Sequence, residues 1–469
     1  MVRADGRNSF LDYLSNICDV WFSYIEDKMI SLNYYRNKYI AVVGGGATGL
    51  SVVNALKNVG ADVVLLDDKV INHECYKNID EVNWNLLDAV VVSPGIHLLW
   101  DTNEAVQRAH KFSVPIITDI DMLQQHISES SKIIAITGTN GKSTTTALIH
   151  HILNFGKYHA EIGGNFGTPV LNLKDNSDFY VLELSSYQLE GCNILGFDTA
   201  ILLNITPDHL TRHGGMAGYI SAKQKIFANS RPNSVSVISV DDEYCAHLMD
   251  LVKLPNVIKI SGLIVPKGGI GWESNQLIDD RNFKHEIICE NYPKLDGPHN
   301  RQNIAATYAA SVANGIDKDT FVKRLFNFNG LEHRQELVKI IDEVQYVNDS
   351  KATNADSVKQ ALVRYDNIVW ILGGRPKEDG IESLVPYFPK IKSAFLIGEA
   401  AEDWHQLLSA HNVKNEIVYT LDSAVQKSYE AAEKGDIVLL SPACASFDQF
   451  KSFEDRGEKF KKMVESLPC

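Results

Sequence analysis

Apolar residues along this chain gather in short β-branched runs. Each run ends in a glycine- or serine-rich break, and many are followed by stretches with apolar positions at helical spacing. The pattern predicts strands at Tyr39–Val43, 63–66 and Ala89–Val92, then at 179–184, 199–204, 234–239 and Val257–Ile260. A last group is predicted at 368–372, 393–397, 417–419 and Ile437–Leu440, with helices at 50–58, 219–227 and 303–313 among the connections. Strands alternating with helices imply parallel sheets covered on both faces. Glycines around 267–272 predict an insertion or a small extra sheet. The breaks divide the chain into an N-terminal extension (1–36), a first α/β domain (37–130), a central domain (131–329) and a third α/β unit (330–469). The extension, with Phe10, Tyr13, Trp21 and Phe22, reads as a helix-compatible lead packed on the first domain.

Composition narrows the class. A chain of 469 residues is too long for one core, and 45% apolar with 22% charged residues is ordinary for a soluble protein. The net charge of −14 argues against nucleic acid as a partner, because no basic stripe is available to release counterions. Seven cysteines show no CxxC pair and no metal-ligand spacing, so reduced thiols in a cytoplasmic protein are expected. No run approaches the roughly 18–20 apolar residues of a membrane span. The acidic N-terminus, with Asp5, Asp12 and Asp19, lacks the form of a signal peptide.

The richest stretch is Ile136-Thr137-Gly138-Thr139-Asn140-Gly141-Lys142-Ser143-Thr144, a strand, a glycine loop, a lysine, a hydroxyl and then a helix. That layout cradles phosphate: backbone N–H groups and the helix N-terminus face the anion, the lysine neutralises it, and the hydroxyl holds Mg²⁺. The loop is shorter than the standard P-loop pattern, which places a glycine where this chain has Ile136. A second glycine turn, Gly44, Gly46 and Gly49, lies between a strand and a helix, with Asp67 and Asp68 about 20 residues on. Alone it fits a nicotinamide dinucleotide, another diphosphate such as a nucleotide-sugar, or a turn without a ligand.

Other residues are ambiguous singly. Glu183 closes a strand near the phosphate loop, where a carboxylate suits Mg²⁺ or merely solvent. Asp208-His209 follows another strand, and Lys223 reads as a surface lysine. Asn300 reads as a helix cap, with Asn303 on the same helix. Arg334, Asp349, Lys351, Thr353 and the Gly373-Gly374-Arg375-Pro376-Lys377 loop mark boundaries in the third unit, where carboxyl-edge loops bind ligands in open α/β sheets. Cys444 has no histidine nearby in sequence to activate it as a nucleophile.

Together these motifs resemble the Mur ligase family from about Tyr39 to Gly457. The short Gly138–Ser143 loop matches the family's ATP loop. Glu183-Leu184-Ser185-Ser186-Tyr187-Gln188-Leu189-Glu190, Asp349-Ser350-Lys351-Ala352-Thr353-Asn354 and residues 441–450 point to a D-glutamate-adding member. The resemblance implies an α/β fold of three domains: a Rossmann-like UDP-binding domain, a central P-loop ATPase-like domain and a C-terminal Rossmann-like domain. It implies ATP and Mg²⁺, in two ions, with UDP-N-acetylmuramoyl-L-alanine and D-glutamate as substrates, and a monomer.

By position, Gly138, Thr139, Asn140, Gly141, Lys142, Ser143, Thr144, Asn303, Arg334 and Asp349 would contact ATP. Ser143, Glu183, His209 and a carbamylated Lys223 would face the metals, and Lys142, Lys223, His209 and Lys351 would be catalytic. Ala47, Thr48, Asp67, Asp68 and Asn165 would hold the UDP substrate, while Thr353, Lys377, Ser446, Phe447 and Phe453 would form the D-glutamate pocket. Residues 1–36 and Arg375-Pro376 depart from the family pattern. Two alternatives stay open: another ATP-dependent amino-acid ligase related to folylpolyglutamate synthase, or a non-catalytic nucleotide-binding regulator.

Overall fold

A computed structural model describes residues 29–98, 103–193, 196–228, 230, 233–251, 254–282, 285–288, 295, 298–376 and 380–468. They form two compact units: one holds the first two sheets through Phe328, the other the third sheet from Asn329 on.

In the first sheet, β1 (Tyr39–Val43), β2 (Asp62–Leu66), β3 (Ala89–Val92) and β4 (Ile116–Ile117) run parallel in the order β2-β1-β3-β4. The strand period of two explains its near-continuous apolar sequence. Ile40 and Val42 of β1 pack with Val52, Val53 and Leu56 of the helix Ala47–Asn58, while Ala41 and Val43 pack with Ala105, Val106 and Ala109 on the other face.

The second sheet comprises β5 (Lys132–Thr137), β6 (Ala160–Gly164), β7 (Phe179–Glu183), β8 (Thr199–Leu202), β9 (Val235–Ser239), β10 (Val257–Ile260), β11 (Ile270–Glu273), β12 (Gln276–Asp279) and β13 (His285–Ile288). Its order is β13-β12-β11-β10-β9-β8-β5-β7-β6, with β5 between β7 and β8. The glycine-marked segment becomes β11–β13, an antiparallel extension of this sheet.

The third sheet, in the second unit, comprises β14 (Glu336–Ile341), β15 (Val344–Asn348), β16 (Ile368–Gly373), β17 (Ile391–Ile397), β18 (Asn415–Tyr419) and β19 (Ile437–Leu440). They are ordered β14-β15-β19-β16-β17-β18, and β14 is antiparallel to β15. Ile368, Trp370 and Leu372 fill one face; Val369 and Ile371 fill the other.

The expected α/β class holds, with differences in detail. β4, β6, β14 and β15 were not predicted: β4 is two residues long, β6 contains Gly163-Gly164, β14 mixes Glu336 and Lys339 with the exposed Leu337 and Ile340, and β15 is a five-residue run that includes Gln345 and Asn348. The helix expected at 303–313 begins at Pro298, a residue whose fixed φ suits the first helical position. Asn300 is therefore inside that helix and is not its cap. Of the N-terminal extension, residues 1–28 lie outside the described residues. Ile30, Leu32 and Tyr35 are buried in the core shared with Leu171 and Leu173, and the Ile30 N–H bonds the Leu173 carbonyl, so this segment reaches beyond the first sheet.

Candidate active site

The phosphate loop leaves the carboxyl end of β5, a central strand, and enters the helix Lys142–Leu153. Gly141 caps that helix with φ +83°, and a Cβ there would lie 2.4 Å from Asn303 Oδ1. Only glycine satisfies both the left-handed backbone and that approach. The loop is braced from β8: the Thr139 N–H donates to the Asn204 carbonyl, and the Asn140 N–H donates to Asn204 Oδ1 at 2.8 Å. Asn204 Nδ2 returns bonds to the Asn140 carbonyl and to Gln302 Oε1. The Thr139 hydroxyl donates to the Thr206 carbonyl and meets Tyr219 Oη at 3.0 Å. Asn303 is buried; its Oδ1 accepts from the Thr145 hydroxyl on the helix after the loop, and its Nδ2 donates to Asn300 Oδ1 on its own helix, so both ends of its amide are engaged.

Two lysines converge on this loop. Lys142 Nζ donates to the Gly138 and Thr139 carbonyls, at 2.9 and 2.8 Å. Lys223, which sequence alone assigned to the surface, is 1% exposed and donates to the Gly138 carbonyl at 2.7 Å. The helix Met216–Gln224 carries it inward, and its Nζ lies 4.7 Å from the Tyr219 ring centre. Burial, with the Lys142 charge behind it, pushes the Lys223 ammonium well below its ordinary value. Asp208 and Glu183 pull weakly the other way.

Glu183 ends β7 and is buried; Asn165 Nδ2 donates to its Oε1 at 2.7 Å and the Asn165 N–H to its carbonyl. Ser143 is buried in the first helical turn, with Thr144 beside it. His209 holds φ +54° at the start of the short helix Leu210–His213, with Nε2 3.4 Å from Asp208 Oδ2 and its ring 5.0 Å from Tyr187. The hydroxyl and carboxylate oxygens of Ser143 and Glu183 are hard donors of the kind Mg²⁺ takes. Gly138 and Gly141 both hold positive φ, and a glycine loop of this kind at a helix N-terminus fits a phosphate chain.

At the first sheet, Asp67 works inside the glycine turn. Its Oδ2 accepts from the Gly45 N–H at 2.6 Å and its Oδ1 from Lys69 and Val70, which hold the carboxyl below its ordinary range. Ala47 and Thr48 open the helix at the mouth of the turn, and Asp68 is exposed beside it. The Ser93 hydroxyl donates to the Gly44 carbonyl, packing the loop after β3 against the turn.

In the second unit, Asp349 follows β15 and is buried. It accepts from Ser441 Oγ at 2.8 Å and from the Gln335 N–H, and burial pushes its carboxyl up to about 7. Arg334 adds its charge to that carboxyl. Lys351 Nζ lies 4.9 Å from the Phe453 ring, Ser446 is buried and Phe447 is exposed; Thr353 is half-buried beside Asn354, which caps the next helix. Lys377 lies outside the described residues. Cys444 is fully buried, unlike an accessible nucleophile.

Sequence reasoning missed Arg456. It is fully buried, and its guanidinium bonds Ser350 Oγ and the carbonyls of Ser350 and Cys444, tying three carboxyl-edge loops with a longer contact to Gly373. Desolvation lowers it to about 10. Asn204, Gln302 and Arg212 were missed too, since no periodicity marks a polar residue that braces a loop. Glu332, His333 and Glu458 form a group with metal-ligand spacing, but Lys461 Nζ sits against Glu332 and Glu458 and supplies the cation there. Among the described residues no helix is long and apolar enough to cross a membrane.

A phosphate loop on a central parallel strand, a second glycine turn on its own sheet and a third α/β sheet define an ATP-ligase architecture. The Mur ligase middle domain family matches residues 136–311, and the Mur ligase glutamate ligase domain family matches residues 333–444. The chain belongs to the Mur ligase family. It is 42% identical to the UDP-N-acetylmuramoylalanine–D-glutamate ligase of Rhodospirillum rubrum, covering 94% of this chain and 97% of that protein. It is 39% identical to the protein of that name from Rickettsia prowazekii (92% and 99%) and 41% to that of Caulobacter vibrioides (94% and 98%). Among solved structures, UDP-N-acetylmuramate–alanine ligase from Thermotoga maritima shares the fold at TM-score 0.59 and 20% identity, covering 92% of this chain and 99% of that one. The MurF ligase of the same organism, solved in complex with ADP, shares it at TM-score 0.56 and 18% identity, covering 94% and 98%.

Proposed function

We propose that this protein is an ATP-dependent ligase that joins D-glutamate to UDP-N-acetylmuramoyl-L-alanine in cytoplasmic peptidoglycan-precursor synthesis. The observation that carries the reading is identity of about 40%, over nearly the whole chain, to ligases of that name. The paired lysines on the Gly138 loop support its ATP half.

A carboxylate is a poor electrophile toward an amine. In the proposed reaction a carboxylate oxygen of the L-alanyl group attacks the γ-phosphorus of ATP and ADP leaves, giving an acyl phosphate. The D-glutamate nitrogen then attacks the acyl carbon, inorganic phosphate leaves from the tetrahedral intermediate, and the nitrogen loses a proton. Lys142 and the loop amides hold the phosphate chain and stabilise charge as the phosphoryl group moves. Ser143, Glu183, His209 and carbamylated Lys223 would hold Mg²⁺, which when bound neutralises charge on the phosphates. The Gly44–Gly49 turn with Asp68 receives the UDP, and Asn165 orients Glu183 while reaching the rest of that substrate. Asn303, Arg334 and Asp349 would contact ATP. Lys351, Thr353, Lys377, Ser446, Phe447 and Phe453 receive D-glutamate. The three sheets would thus serve as UDP-sugar, ATP and amino-acid domains.

The test is phosphate release with the UDP-sugar acceptor over a panel of amino acids. Release that requires both the acceptor and D-glutamate is expected. Equal release without either, or with another amino acid in place of D-glutamate, would refute the assignment.

A further inference from the structure

Arg212 lies three residues after His209, on the short helix Leu210–His213, and is almost fully buried. Its guanidinium does not serve the phosphate loop. Nη2 donates to the Ile96 carbonyl at 2.7 Å and Nη1 reaches the Gly95 carbonyl at 3.4 Å. Both carbonyls belong to the loop after β3, at the carboxyl edge of the first sheet, where open α/β sheets take their ligands. That loop is itself pinned to the glycine turn by Ser93, whose hydroxyl donates to the Gly44 carbonyl.

Glu190 fixes the guanidinium from behind: its Oε2 accepts from Nε at 3.2 Å and from Nη2 at 2.8 Å. Glu190 is buried, and so is His213, whose Nδ1 stands 3.7 Å from Glu190 Oε1 and whose Nε2 meets Ser186 Oγ at 3.0 Å. Arg212 is the cation paired with the Glu190 carboxylate, at 2.8 Å. Arg212 Cζ lies over the Tyr187 ring, 4.8 Å from its centre, and that ring also meets His209 at 5.0 Å. One side chain therefore joins the rim of the first sheet's ligand crevice to the segment that carries His209.

We propose that Arg212 is a positioning residue: it sets the 93–96 loop, and with it the bound acceptor nucleotide, in register with the His209 and Glu183 side of the phosphate site. The role rests on the proposed ligase reading. A planar fork suits it, because two carbonyls and a carboxylate must be engaged at once, which an ammonium cannot reproduce.

The experiment uses the full chain with Arg212→Gln, Arg212→Lys and Glu190→Gln. Acceptor binding without D-glutamate is measured by calorimetry, and KM for acceptor and for ATP by phosphate release. For Arg212→Gln, the acceptor KM rises about tenfold or more with a fall in kcat, while the ATP KM stays within about twofold. Arg212→Lys recovers part of the loss, and Glu190→Gln shows a weaker version of the same split. If Arg212→Gln does not fold, Glu190→Gln decides: a selective rise in acceptor KM supports the role, and unchanged kinetics overturn it. Equal changes in both KM values, or a lowered melting temperature with unchanged kinetics, also overturn it. If the wild-type protein fails to bind or use the acceptor, the ligase reading itself falls, a result distinct from failure of the Arg212 role.

Discussion

Lys223 and Lys142 donate to the same acceptor, the Gly138 carbonyl, at 2.7 and 2.9 Å. Two ammonium groups on one oxygen repel, and Lys223 is buried away from bulk solvent. The buried lysine is the one driven toward its neutral form. A neutral amine is also the form that adds carbon dioxide, so the loop geometry favours carbamylation of Lys223. Protein equilibrated with ¹³C-bicarbonate should show a carbamate carbon signal that disappears in Lys223→Arg, with a parallel loss of turnover. An identical spectrum for both proteins would remove this role.

Lys142 differs in being half-buried at the mouth of the loop. Lys142→Ala removes two bonds to the loop's own carbonyls. Phosphate release should fall by about a thousandfold or more while the melting curve stays close to wild type. Retained turnover would show that the cradle is not where ATP reacts.

Gly141→Ala tests the backbone in the same loop. The added methyl would meet Asn303 Oδ1 in a left-handed conformation. The expected cost is about 1–3 kcal/mol in stability, with a larger loss in ATP affinity. Denaturant unfolding of the first unit and nucleotide titration measure the two separately.

Arg456→Met should leave the carbonyls of Ser350 and Cys444 without their buried donor. The second unit should lose about 2–4 kcal/mol, and the KM for D-glutamate should rise more than that for the UDP acceptor. Equal KM values to wild type would confine Arg456 to stability.

Asp119 is buried in the first turn of the helix Asp119–His126, and burial pushes its carboxyl from 3.8 up to about 7. The fold favours its protonated form, so this group's contribution is fully present below 3.8 and is lost as pH rises through about 7. Asp119→Asn abolishes that titration. Its melting temperature relative to wild type should climb from pH 5 to pH 8, with a gain on the order of 3 kcal/mol at most. A pH-independent difference would contradict the assignment.

Much of this site is legible in the sequence because phosphate loops are local. Gly138, Gly141, Lys142 and Ser143 sit within one turn, and strand and helix periodicity flank them. Glu183 and His209 could be placed only as strand-end residues, since their nearness to the loop depends on β7 and β8 flanking β5. Lys223 looked like a surface residue because a helix carrying Lys223 and Lys225 reads as solvated. Only the packing of Tyr219 and Ala222 turns one of them inward. Arg212 and Arg456 were invisible for the same reason: each satisfies carbonyls that the chain brings together from distant positions. The three backbone N–H groups that donate to Asp67 were equally hidden, and they tie its carboxylate to the turn.

That occupation of Asp67 has a consequence for selectivity. In dinucleotide enzymes the acidic residue at this place grips a ribose hydroxyl of the adenosine half. Here both carboxylate oxygens already hold Gly45, Lys69 and Val70. The turn therefore meets any ligand with a carboxylate already oriented by its own backbone, a fixed negative charge set before binding.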